Sequence, residues 1–111
     1  MLTEKLRLIK SALNSVNGLT VYHYHAPKSA AGTDYCIWAE DGEENSFYSN
    51  NGKGQRIHAT IDLYTQTEYD QKADKIQEAL EIEPRIDWSL NSVQYEDETG
   101  YIHIEWSLTV A

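Results

Sequence analysis

The sequence predicts an α+β domain, a mainly antiparallel sheet with two helices packed on one face, in the order helix, strands, helix, strands. Three observations carry that expectation. Near the start, Leu2, Leu6, Ile9, Leu13 and Val16 recur at spacings of four and three, which places them on one helical face. In the middle, Ile57, Ala59, Ile61 and Leu63 alternate with His58, Thr60, Asp62 and Tyr64, the period of a half-buried strand, and lead into a second helical pattern. At the end, Ile102, Ile104, Trp106, Leu108 and Val110 alternate with Tyr101, His103, Glu105, Ser107 and Thr109. At 111 residues the chain reads as a single domain, 1–111, since domains run to roughly 100–200 residues. Its 3 Trp and 8 Tyr provide large surfaces to bury, which argues for a packed core and against disorder.

Taken in order, the first helix is expected from Thr3, as N-cap, to about Val16, with Gly18 at the left-handed stop. Leu19 to His25 is rich in Val, Thr and Tyr and reads as a strand. Pro27 to Thr33 collects breakers and small residues, so it reads as a loop. Asp34 to Glu40 is apolar on both faces, which suits a central strand. Glu40 to Gly54 is polar and rich in turn signals, interrupted by Phe47 and Tyr48; long loops carrying aromatics often bind partners. After the central strand, Thr65-Gln66-Thr67-Glu68 matches a capping box, and Tyr69, Ala73, Ile76 and Leu80 would share one helical face. Pro84 ends that helix, and Trp88 falls in the link to a strand from about Leu90 to Tyr95. Glu96 to Gly100 forms an acidic turn, closing a hairpin with the last strand.

Charge narrows the function classes. With 18 acidic and 9 basic residues the net charge is -9, so phosphate and anionic membrane are repelled. The acidity fits plain solubility, a surface that mimics DNA, or one past which DNA slides without sticking. Cys36 stands alone in an apolar strand pattern and reads as a small buried hydrophobe. Lys5, Arg7 and Lys10 interrupt any apolar run near the start, and no stretch approaches the roughly 20 apolar residues of a spanning helix. A soluble protein made in a cytoplasm is the expectation.

No chemical motif points to an enzyme. His23-x-His25 would project two imidazoles to one side of a strand, and His58 or His103 could complete a zinc site. Both of those lie on polar strand faces, however, where ordinary half-buried histidines are common. Gly52-x-Gly54 precedes a strand, whereas a nucleotide fingerprint follows one and opens a helix. Glu43-Glu44 and the Glu96–Glu98 run lie in turns, where solvent favours ordinary carboxylates. No serine stands in a nucleophile elbow. No catalytic residue, cofactor or metal is expected.

The short N-terminal helix, the strand "DYCIWAE" and the polar insertion ending in "FYSNNGKGQR" form a sequential pattern. They continue through "IHATIDLYTQTEYDQKADKIQEAL" and "WSLNSVQYEDETGYIHIEWSLTV". Over nearly the whole chain this resembles the small tail terminator, or tail completion, proteins of long-tailed bacteriophages and prophages. One departure is that "HAPKSAAGTDYCIWAE" lacks the proline that family often carries before its second strand. The resemblance implies a structural subunit of the virion tail, assembled in the bacterial host cytoplasm into a ring, commonly a hexamer. The ring would cap the head-proximal end of the tail tube and join it to the head. Its partners would be copies of itself, the major tail tube protein and a head-closure or connector protein. Combined with the charge, that reading makes Glu43, Glu44, Glu96, Asp97 and Glu98 candidate bore-lining residues, past which DNA moves without specific binding. It also makes Phe47, Tyr48, His58, Thr60, Asp62 and Tyr64 candidates for the contact between subunits. Two other classes stay open: a small acidic phage-encoded inhibitor that mimics DNA, and a related head–tail connector or minor capsid component.

Overall fold

The computed structural model describes residues 1–43 and 55–111. Among them the chain forms α1 (Leu2–Asn14), β1 (Val21–His23), a 3-10 turn (Lys28–Ala30), β2 (Tyr35–Glu43) and β3 (Ile57–Thr65). It continues as α2 (Gln71–Ile82), β4 (Ile86–Glu96) and β5 (Tyr101–Val110). The five strands make one sheet in the order β1-β2-β3-β5-β4. Neighbours pair antiparallel except β1 and β2, which run parallel. The protein is an α+β fold of two helices on a mostly antiparallel sheet.

Alternation decides which face the helices cover. Along β3 every odd residue from Ile57 to Thr65 is buried and every even one is half-buried. Ala59, Ile61 and Leu63 join Cys36 and Trp38 of β2 and Trp106, Leu108 and Val110 of β5 in one core. Ile9 and Leu13 from α1 and Ile76 and Leu80 from α2 close over it. Burying such side chains contributes about 1.5–3 kcal/mol each, so this layer dominates the stability. Trp106 is fully buried, and its indole N–H donates to Gln77 Oε1 at 3.0 Å, so burying this ring loses no hydrogen bond. The helix α2 carries the chain from β3 to β4, which run the same way with β5 inserted between them.

Several element boundaries differ from the sequence expectation, each for a local reason. The helix α2 starts at Gln71, capped by Asp70, whose carboxylate accepts from the Lys72 amide at 2.9 Å. Thr65 is no cap for that helix. It is the buried last residue of β3, and its hydroxyl is tied up with Asp70 and Asp34. Tyr69 accordingly lies outside the helix, at a φ of 56°. The strand β1 is only three residues long, because Tyr24 turns to a φ of 75° directly after it. The strand β4 starts before Trp88, since Ile86 pairs with Val110 and Trp88 with Leu108. The helix α1 starts at Leu2, with Thr3 inside its first turn, and it buries Lys5 whose ammonium donates to the Gln55 carbonyl at 2.5 Å. Finally, β2 extends through a bulge between Glu40 and Gly42 as far as Glu43.

Candidate functional site: the helix-free face of the sheet

Among the described residues no α-helix covers the second face of the sheet. Its residues follow from the register: Tyr35, Tyr64, His103 and Gln94 form one cross-strand row, and Ile37, Asp62, Glu105 and Ser92 the next. Ala39, Thr60, Ser107 and Ser89 form a third. Aromatic rings gather at one end. Tyr35 and Tyr64 stack at 5.0 Å, Tyr64 and His103 at 4.4 Å, and Tyr101 meets both tyrosines edge-on at 5.8 and 5.9 Å. Such offset and edge contacts contribute about 0.5–1.5 kcal/mol each beyond area burial.

The Pro27–Thr33 segment crosses to this end of the face. The Tyr101 hydroxyl accepts from the Gly32 amide at 2.9 Å and donates to the Thr33 carbonyl at 2.7 Å, and Ala30 is buried. A parallel β1–β2 pair needs a crossover connection, and this segment supplies it. No sequence signal indicated that a loop of breakers would be anchored to the start of β5.

Of the residues expected at a subunit contact, His58, Thr60, Asp62 and Tyr64 do share this face. Phe47 and Tyr48 lie outside the described residues. His58 Nδ1 lies 2.5 Å from Asp41 Oδ1, beside the β2 bulge. Asp62 Oδ1 is 2.7 Å from His103 Nε2, and Glu96 Oε2 approaches the other ring nitrogen at 3.8 Å. Burial raises the Asp62 carboxyl above its ordinary value; the His103 contact opposes this, and the neighbouring charge of Glu105 adds to it. The Tyr64 phenol is pushed up to about 12, first by burial and then by Asp62, Tyr35, Glu96 and Glu105. A surface of hydroxyls, rings and opposed carboxylates can bind a partner by contact.

The acidic candidates do not form one cluster. Glu43 ends β2, opposite Ile57 and so beside the last residue of β5. Glu96 ends β4, opposite the first residue of β5, and Asp97 and Glu98 follow in the turn. The two groups therefore lie at opposite ends of the strands, roughly 25–30 Å apart for a nine-residue strand. Glu44 lies outside the described residues.

The histidines are also dispersed. His23 sits at the sheet edge on the helix side, stacked between Tyr24 at 3.7 Å and Trp38 at 3.8 Å. Glu40 takes hydrogen bonds from both His23, at 2.8 Å, and the Tyr24 hydroxyl. Burial alone would raise the Glu40 carboxyl, but the Tyr24 and His23 contacts outweigh it and leave the carboxyl below its ordinary range. His23, His58 and His103 each face a different carboxylate, and no three metal-ligating residues converge among the described residues. Cys36 is buried in the core, and that burial, with the charge of Asp62, pushes its thiol up to about 12.

A second surface went unread in the sequence. Beyond the end of the helix layer, Leu90, Val93 and Tyr95 of the edge strand β4 point to the helix side, yet each is at least half exposed. A β-bulge between Leu90 and Ser92 shifts the alternation there, so a strict period of two cannot place them together.

No protein-family model matches the chain, and no curated protein matches it by sequence. Among the described residues no helix is long and apolar enough to cross a membrane.

Proposed function

We propose that the chain is a non-enzymatic structural subunit of a phage or prophage tail, forming a ring that caps the head-proximal end of the tail tube and joins it to the head. The observation that supports this best is the second sheet face, where Thr60, Asp62, Tyr64 and His103 stand half-buried with no helix over them among the described residues. A ring requires a heterologous contact that closes by rotation, and a polar-aromatic face meeting a different surface of the next copy meets that requirement. The net charge of -9 supports passage of DNA through the bore by mutual repulsion. Because Glu43 and Glu96–Glu98 lie at opposite strand ends, both can line one bore only with the strands running along its axis. The ring contacts copies of itself, the major tail tube protein and a head-closure or connector protein.

Gel filtration with light scattering, before and after mixing with assembled tail tubes, tests the reading. A hexamer-sized particle, or a monomer that becomes a ring on docking to tubes, is the expected result. A persistent monomer that instead inhibits a DNA-processing enzyme would replace it with the DNA mimic.

A further inference from the structure

We infer that the outer edge of β4 is a docking site for an extended, basic segment of another protein, which adds to the sheet as a further strand. This does not rest on the ring reading. The strand β4 (Ile86–Glu96) is the long edge of the sheet, eleven residues with no outer strand neighbour among the described residues. Edges of that length are usually blunted by Lys, Pro, an inward charge or a β-bulge. No Lys, Pro or charge lies between Trp88 and Tyr95, and the one such device there, the bulge at Asn91, leaves residues 92–96 as a regular edge beyond it.

Beside the edge lies a continuous groove. One section of about 640 Å³ is lined by Val93, Tyr95 and Ile102, and a second of about 410 Å³ by Val93, Ile102 and Ile104. Glu68 borders both. An added strand bonds its backbone to β4 and sets alternate side chains against the exposed Val93 and Tyr95, which form the outer side of the groove. Tyr69 forms the opposite wall of the second section, 91% exposed and at a φ of 56°. A bulky side chain is rarely held in left-handed backbone with its ring in water, and such strain concentrates at binding surfaces.

Charge selects the occupant. Glu68 and Asp74 line the groove, Asp70 is engaged by Lys72, and among the described residues no Lys or Arg lines either section. A second copy's β4, which carries Asp87 and Glu96 near its ends, would add carboxylates to this acidic surface, whereas apolar residues flanked by Lys or Arg are attracted.

The test uses three capped peptides of alternating Val and Thr: one flanked by Lys, one flanked by Glu, and the Lys-flanked one with N-methylated backbone. Binding is read by fluorescence anisotropy and by hydrogen exchange of the β4 amides. The Lys-flanked peptide is expected to bind and to protect β4, with the Glu-flanked one weaker by about tenfold or more at low salt. N-methylation should abolish binding, because it removes the ladder donors. Val93→Lys should weaken binding by about tenfold. Tyr69→Gly should also weaken it while raising Tm, because glycine relieves the backbone strain, so lost binding is not lost folding. Equal binding of the two flanked peptides, or no protection of β4 by either, overturns the proposal. So does protection of β4 in the peptide-free protein together with a dimeric mass, which would make a second copy the occupant.

Discussion

At the scale of single residues, Asp62 shows how the helix-free face trades stability for surface chemistry. It lies directly across from Glu105 in the β3–β5 register, and like charges so placed cost about 0.2–1 kcal/mol. Burial adds to the cost of its charge, while His103 at 2.7 Å offsets part of it. Because the folded-state pKa is raised above 3.8, the carboxylate's cost is present at neutral pH and fades as pH falls through the folded value towards 3.8. Asp62→Asn keeps an oxygen that accepts from His103 and removes the charge. The variant should be more stable than wild type at neutral pH, on the order of 0.5 kcal/mol, with the difference shrinking on acidification. Urea unfolding across that pH range measures it, and an Asn variant less stable at neutral pH would mean the contact of the Asp62 carboxylate with His103 dominates.

At the scale of elements, the start of α2 shows what patterns on the chain do and do not encode. Ile76 and Leu80 were legible as its buried face, since apolar spacing is a property of the helix interior. Its first residue was not, because Thr65–Glu68 and Asp70 both satisfy local capping rules and tertiary contacts choose between them. Thr65 ends β3, and its hydroxyl lies 2.7 Å from Asp70 and 3.1 Å from Asp34, so it holds the capping carboxylate while Asp70 caps the helix. The β4 stripe was hidden for a similar reason: the bulge that aligns Leu90 with Val93 and Tyr95 is a property of pairing with β5. Capping makes a quantitative prediction. Asp70→Ala should cost about 1–2 kcal/mol at neutral pH, and Asp70→Asn much less. Burial acts to raise the Asp70 pKa, but the Thr65 hydroxyl and the Lys72 amide and ammonium together bring it below 3.8. The stabilisation is therefore complete above 3.8 and is lost as pH falls through the lower folded value, so the Ala variant and wild type should converge in acid. Chemical denaturation read by tryptophan fluorescence would show this; a cost that persists in strong acid would locate the effect in packing.

At the scale of the molecule, the fold was largely legible and the function much less so. A core of alternating strands under two amphipathic helices follows from residue order alone, whereas a binding face is defined by what is left uncovered, which depends on the complete packing. His58, Thr60, Asp62 and Tyr64 were assigned to one surface because alternation fixes a face. Tyr101, His103 and Glu105 joined them through strand order, which no local pattern contains. Two substitutions separate the use of that face from the integrity of the fold. Thr60→Arg puts a long cation at the middle of the face, opposite Ser107, while Gln71→Arg makes the same charge change at an exposed position of α2. Neither removes a core contact, so both should unfold within about 0.5–1 kcal/mol of wild type. If copies meet through the face, only Thr60→Arg should prevent ring formation in light scattering. Raising salt should not restore it, because the block is steric. Wild-type assembly, in contrast, should strengthen as salt screens repulsion between copies at -9 each, the Debye length falling from about 10 Å at 0.1 M to about 3 Å at 1 M. Rings formed equally well by both variants would move the subunit contact off the helix-free face and onto the sheet edges.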